Sequence, residues 1–333
     1  QEMNALSVHE REQIYEEIHG IASIINETPE MLASSLQQMR LELSRIPRRK
    51  RGALDRAMFL RPSITTDDNF HLMFLRACRF DPKCAAAKMH RYFMNKLDLF
   101  GEEKLTKTIT LDDLDSPQET QILCHGATQF VPVNERGVIV QYTLIAAHAD
   151  VSDWKAQMRC LWYRLMAVLE DENVQKRGIV EVVNLRGQWK VSIPDMLDFL
   201  AKCGHILNDR PVRLCAFHVL LDQGGGPLSF FLAAANKLLS TGVRLRQRIH
   251  VGSDLEIQYS LMSFGIKLPD DCFALGRGIF GLEHISSYLQ SRREKDSENL
   301  RREVEGITSP ENFLYPRKED VLMGRGRPYQ TWP

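Results

Sequence analysis

From about residue 112 the chain alternates short runs rich in β-branched residues with longer runs of helical period, and this alternation limits its fold more than any other feature. Residues 137–145, Gly137 to Ile145, read as a strand. Trp154, Met158, Leu161, Trp162, Leu165 and Leu169 then recur on one helical face. A second strand spans 178–185, and Ile193, Met196, Leu197, Leu200 and Leu207 mark a second helix with Pro194 in its first turn. Residues 213–221 make a third strand and 248–251 a short fourth. Strand–helix–strand units with short links imply right-handed crossovers and largely parallel pairing. The expected class is α/β: a helical N-terminal module packed on a mixed, mostly parallel β-sheet, with crossover helices enclosing an apolar pocket.

Upstream, residues 5–60 read as helical and charged, interrupted by the basic segment from Pro47 to Gly52. Asp68 to Asp81 is an amphipathic helix with Phe70, Met73, Phe74 and Ala77 on one face and Asp67 or Asp68 as N-cap. Pro82 opens a second helix whose buried stripe is Ala85, Met89, Tyr92, Phe93 and Leu97, so 67–100 is a helical hairpin. Gly101 to Leu111 is a polar connector. Beyond about 285 the chain turns polar, and Arg292 to Glu298 reads as a solvated helix or a linker.

Forty-three basic residues balance 43 acidic ones, so any attraction to a polyanion must come from a local patch. Seven scattered cysteines without Cys-x-x-Cys spacing read as reduced core residues. The apolar runs are too short to span a bilayer, and the first residues show no leader pattern. The expected location is cytoplasmic, with peripheral membrane association.

The segment from Pro227 to Ser240 is the most apolar helix, with Leu228, Phe231, Leu232, Ala235, Leu238 and Leu239 on one stripe and Phe230 and Ala234 widening it. Periodicity alone favours a buried core helix. The alternative is a movable cover, for which Gly224–Gly226 would supply a hinge. Arg244, Arg246 and Arg248 follow closely. They fit a solvated charge run or a seat for a phosphorylated head group, since guanidinium matches phosphate with paired donors. Arg45 to Arg51 fits an anionic-lipid patch, an import signal or a plain exposed face.

Motifs for chemistry are poor. Gly276 to Gly281 matches G-x-G-x-x-G without the strand–helix setting that motif needs. His205, His218 and His250 stand on separate elements with no Cys, Asp or Glu at ligand spacing, and Ser229 lacks a nucleophile elbow. No catalytic residue, metal or cofactor is expected.

The string Phe74-Leu75-Arg76-Ala77-Cys78-Arg79-Phe80-Asp81 resembles the F-L-R-A-R-x-F-D opening of the CRAL-TRIO lipid-binding family, which includes retinaldehyde-binding, tocopherol-transfer and phosphatidylinositol-transfer proteins. Arg136-Gly137-Val138, Asn184-Leu185-Arg186-Gly187, Pro211-Val212-Arg213-Leu214, Gly252 to Leu255 and Leu268 to Phe273 are similar to later motifs of that family, in order, from about residue 65 to 283. The resemblance implies a non-enzymatic protein that binds a hydrophobic lipid and transfers or presents it, with the apolar helix after Gly226 as the gate. The implied lipid pocket takes Trp154, Met158, Trp162, Leu165, Met196, Leu200, Phe217, Phe230, Phe231, Leu232 and Ala235. The implied head-group and membrane contacts are Arg76, Arg79, Arg244, Arg246 and Arg248, toward an anionic surface and phosphoinositides.

The departures are specific. Val212 and Gln247 stand where phosphatidylinositol-transfer members carry glutamate and lysine, Cys78 replaces a common arginine, and Leu221 to Gly224 replaces the usual gate entrance. Glu319 to Arg327 resembles the D-V-L-x-G-R-G opening of an algal domain, which implies a chain that continues beyond Pro333. The expected organisation is a helical extension with its basic segment over 1–60, a helical hairpin over 61–105, the lipid-binding domain over 112–283, and a polar linker with the C-terminal motif over 284–333. A rival reading is an interaction module of the same fold with a filled cavity, binding a protein partner through its N- or C-terminal segments. A nucleic-acid role, with Arg45–Arg51 as its handle, is disfavoured by the neutral charge and the lack of base-reading aromatics.

Overall fold

Four of the five α-helices before residue 101 start where a side-chain oxygen meets an orphan backbone N–H. The structure, a computed structural model, describes residues 2–132, 138–145, 153–187, 192–223, 226–268 and 282–304. Ser7 caps α1 (Val8–Ile18) in a reciprocal capping box with Glu10, and Thr28 caps α2 (Pro29–Arg45). After a short turn over Arg48–Lys50 come α3 (Gly52–Leu60) and α4 (Asp68–Ala77), the latter capped by Asp67. Asp81 caps α5 (Pro82–Phe100), with Pro82 in its first turn. The turn between α4 and α5 holds Arg79 and Phe80 in left-handed conformations, φ 51° and 63°, which cost non-glycine residues energy.

The α/β portion begins with α6 (Pro117–His125) and β1 (Thr128–Pro132), then β2 (Ile139–Leu144), α7 (Trp154–Val168), α8 (Glu172–Arg177) and β3 (Ile179–Asn184). It continues with α9 (Ile193–Asn208), β4 (Leu214–Leu221), α10 (Gly226–Leu238), α11 (Thr241–Arg246), β5 (Gln247–Val251), α12 (Asp254–Met262) and α13 (Leu282–Val304). The strands form one sheet in the order β1-β2-β3-β4-β5. β1 runs antiparallel to β2 and the other three pairings are parallel, as expected of a mixed, mostly parallel sheet. β1 is the strand the sequence reading lacks: it is a five-residue edge ending in proline, too short for a clear alternation. Gly178 joins α8 to β3 at φ 80°, where a Cβ would lie 2.5 Å from the Arg213 carbonyl oxygen, so only glycine fits between these strands.

Strand alternation divides the core. Ile145, Leu185, Val219 and Leu221 face α9 and α10. Val140, Tyr142, Val182, Ala216 and Leu220 face the other way, toward Ile14 and Ile18 of α1 and Ile257 and Leu261 of α12. The N-terminal extension therefore covers the second sheet face. The hairpin shares a third, larger cluster with α7, through Phe74, Met89, Tyr92, Phe93, Trp162 and Leu165. The segment after 285 is also more than a solvated helix. Arg292 and Asp296 of α13 are buried, Arg292 pairing with Glu170 at 2.9 Å and Asp296 accepting from the Tyr163 hydroxyl at 2.8 Å. Two charges facing one groove give it that anchor, which an apolar-period reading does not register.

Candidate functional site: the sheet face under α10 and its arginine corner

The parallel register stacks side chains in tiers on the sheet face beneath α9 and α10. Glu181 pairs with Gln141 and Phe217, Val183 with Thr143 and Val219, and these point to one side. Above them Met196 of α9 and Phe231, Leu232 and Ala235 of α10 are buried against Ile145, Leu185, Val219 and Leu221. Ile193, Leu197, Leu200 and Phe217 pack around this cluster half-buried. Six of the eleven sequence-predicted pocket residues thus meet under α10: Met196, Leu200, Phe217, Phe231, Leu232 and Ala235.

One end of this apolar layer is polar. Arg210 donates to Gln141 Oε1 at 2.8 Å and to Glu181 Oε2 at 2.9 Å, and Gln141 donates to Glu181 at 3.3 Å. All three are buried. A charged pair this deep holds only because its hydrogen bonds are satisfied. The signal was in the sequence, a glutamine and a glutamate interrupting two otherwise apolar strands, but it carries no partner information.

Trp154, Met158, Trp162 and Leu165 go elsewhere. They belong to the cluster between α7 and the helical hairpin, where Trp162 lies 4.7 Å from the Tyr92 ring and 6.1 Å from Phe100. A cavity of about 110 Å³ opens beside them, lined by Phe70, Tyr92, Phe93, Trp162 and Met166 with Lys96 and Arg61 among its polar groups. Phe230 and the Gly224–Gly225 hinge lie outside the side chains described. So do Arg136, Gly276 to Gly281, Pro269 to Phe273 and the segment 319–327.

Four of the five predicted head-group arginines have acidic partners within the chain. Arg76 is buried, donating to Glu27 at 2.9 and 2.7 Å and to Glu172 at 2.6 Å. Arg79 reaches Glu17 at 3.0 Å. Arg246 reaches the same carboxylate at 3.0 and 2.6 Å, and Arg213 joins at 2.9 Å. Glu17, on α1, is fully buried among these three guanidinium groups. Arg244 pairs with Glu2 and also donates to the Leu239 and Asn236 carbonyls, capping the end of α10. Those bonds hold the Arg244 guanidinium above its ordinary pKa, chiefly through the hydrogen bond to Glu2. Sequence reasoning missed Glu2, Glu17 and Glu27, which sit in an N-terminal segment more than 50 residues from most of their partners.

Arg248 differs. Among the described residues it has no carboxylate partner; it donates to the Gln247 carbonyl at 2.7 Å, and burial lowers its pKa. It stands on the edge strand β5, whose Ile249 and Val251 are exposed on the opposite sheet face, and Leu255, Tyr259 and Met262 of the adjoining α12 are exposed too.

The histidines need a correction. His218 and His250 are not separate: β4 and β5 pair with His218 opposite Arg248, which places His250 diagonally on the same face. His218 Nδ1 lies 2.8 Å from His250 Nε2, and His250 Nδ1 lies 2.7 Å from the Ser260 hydroxyl, with Phe264 edge-on to both rings. Burial pushes the His218 pKa down to about 3 and that of His250 to about 4. Among the described residues no three His, Cys, Asp or Glu side chains gather as a metal site, and no helix is long and apolar enough to cross a membrane.

No protein-family profile matches this chain, and no curated protein sequence does. Among solved structures, that of Sfh5 is similar at 9% identity and a TM-score of 0.47, covering 81% of this chain and 100% of the other.

Proposed function

We propose that this protein binds an amphiphilic lipid between its sheet and α10, without making or breaking a bond, and exchanges it at an anionic membrane. The observation that carries the reading is the layer under α10: an apolar helix packs on apolar strand positions, and one end of the floor carries an oriented Gln141–Glu181–Arg210 group. Lipid sites combine such apolar walls with a few fixed polar groups. Outward movement of α10 would let an acyl chain take over the contacts that Phe231, Leu232 and Ala235 now make, at about 25 cal/mol per Å². The motif resemblance over residues 65–283 supports the same reading.

The membrane contact is the β5 edge. Ile249 and Val251 on β5 and Leu255, Tyr259 and Met262 on the adjoining α12 are exposed, Arg248 stands on the same edge strand, and exposed apolar side chains near a cation suit a lipid surface. Phosphoinositides would be recognised there or at the arginines around Glu17, once α1 moves.

Photocrosslinking tests the site. Phosphatidylcholine–phosphatidylserine vesicles carrying a diazirine acyl chain should label α9, α10 and the facing residues of β3 and β4. Labelling restricted to the exposed positions of β5 and α12 would leave a membrane-binding protein with no lipid cleft. Absence of labelling would favour an interaction module of this fold.

A further inference from the structure

The basic segment from Arg45 to Arg51 belongs to neither the layer under α10 nor the β5 edge; it links α2 to α3. Arg48, Arg49 and Lys50 form one exposed turn, and among the described residues none of these three side chains has a hydrogen-bonding or carboxylate partner. Their neighbours are paired, Arg45 with Glu42 and Arg51 with Asp55 at 2.6 Å. Residues 45–60 hold six cations and one carboxylate, in a chain that is neutral as a whole.

This placement works against the fold. A helix N-terminus is the positive end of its dipole, where further cations are unfavourable. Yet three cations fill the turn before α3, and Arg51 at its N-cap position makes no side-chain cap bond. The other four helices before residue 101 start on serine, threonine or aspartate. Where a local rule is broken with no gain to the fold, another demand on the sequence is expected.

The outer face of α3 shows what that demand is. Ala53, Leu54 and Ala57 are buried in the cluster that α3 shares with α5. Gly52, Arg56 and Phe59 recur at helical spacing on the opposite side. Phe59 is 75% exposed, the most exposed large apolar side chain among the described residues, and Leu60 beside it is exposed as well. The Arg56 guanidinium lies 5.6 Å from the centre of the Phe59 ring. Unpaired cations stand at one end of the helix and a bare aromatic ring at the other, about 13 Å apart.

We propose that this face of α3 is a docking surface for an anionic membrane, separate from the β5 edge and independent of any lipid under α10. Arg48, Arg49 and Lys50 meet the head groups, and Phe59 and Leu60 enter the boundary between head groups and acyl chains. A duplex phosphate backbone would engage the same cations but leave Phe59 and Leu60 in water, so the apolar end favours lipid.

Co-sedimentation of the full chain with phosphatidylcholine vesicles, containing or lacking phosphatidylserine, tests this. Replacing Arg48, Arg49 and Lys50 together with Gln should weaken binding to the anionic vesicles about 100-fold, about five-fold for each cation, and flatten its salt dependence. Arg48→Lys combined with Arg49→Lys should keep the affinity. Phe59→Ala should weaken binding about ten-fold with the salt dependence unchanged. These side chains are exposed, so each variant should unfold at the wild-type temperature. Arg248→Ala should have the same effect in the wild-type and triple-Gln backgrounds, which separates this surface from the β5 edge. Wild-type vesicle binding by the triple variant or by Phe59→Ala would overturn the proposal. So would tighter binding of the wild-type chain to a DNA duplex than to the anionic vesicles at equal phosphate concentration.

Discussion

Glu17 of the first helix takes two hydrogen bonds from Arg246, at 3.0 and 2.6 Å, across 229 positions of chain. The same carboxylate takes one each from Arg79 and Arg213. One buried anion therefore ties the N-terminal segment to the hairpin, to β4 and to the helix that follows α10. It also occupies positions from which arginines could hold a phosphate.

Removing that anion leaves three guanidinium groups facing an apolar wall. Glu17→Ala should lower the unfolding free energy by about 3 kcal/mol, since stripping one partner from a buried ion pair is costly. Urea denaturation measures it. The same variant should bind phosphatidylserine vesicles more tightly, and a variant that is destabilised without that gain would show the three arginines are purely structural.

The histidine pair makes stability depend on pH. Both rings titrate below the ordinary histidine value in the folded chain, at about 3 and about 4, while the unfolded chain takes up protons near 6.5. Between these values the unfolded state binds more protons, so stability is full above about pH 6.5 and declines as pH falls toward 4. Thermal unfolding should show a loss of about 4 kcal/mol by pH 5 from this pair, about 2 kcal/mol from each ring. Replacing both His218 and His250 with Leu should flatten that slope. An unchanged slope would place the acid sensitivity elsewhere, with His71, whose pKa burial lowers to about 4, as the next group to test.

Arg248 and Arg246 separate membrane docking from internal pairing. Arg248→Ala should weaken binding to anionic vesicles about five-fold, near 1 kcal/mol for one cation at the surface. Arg246→Ala should chiefly destabilise the fold, because its guanidinium is held by Glu17. Equal effects of the two on vesicle binding would contradict this division.

Trp162 and Phe231 separate core from cleft. Trp162→Ala should cost about 3 kcal/mol of stability or more by emptying space beside Tyr92, with the lipid affinity of the folded fraction unchanged. Phe231→Ala should alter lipid binding more than its stability cost explains. Co-sedimentation with vesicles, corrected for folded fraction, distinguishes them.

The repeating elements were legible in the sequence because local pattern alone produces them. The cap at Asp67, the first-turn Pro82, the apolar stripe of α10 and four of the five strands all follow from spacing within a few turns of chain. What was not legible depends on encounters between distant segments. The period of α7 places Trp162 on a buried face, but both the hairpin and the sheet lie near that helix, and only packing decides which receives the indole. The arginines at 76, 79, 244 and 246 carry phosphate-binding chemistry in isolation. Glu2, Glu17 and Glu27 use that chemistry inside the chain, through contacts that no local window contains. His218 and His250 meet only once the β4–β5 register is fixed.

The central claim is that the cleft under α10 holds a lipid, and native mass spectrometry of the intact chain after incubation with mixed phosphatidylcholine–phosphatidylserine vesicles tests it most directly. The account predicts a one-to-one lipid adduct that Ala235→Trp, which fills the cleft, removes while the chain stays folded. A bare protein mass after incubation, or an adduct that survives Ala235→Trp unchanged, would contradict it.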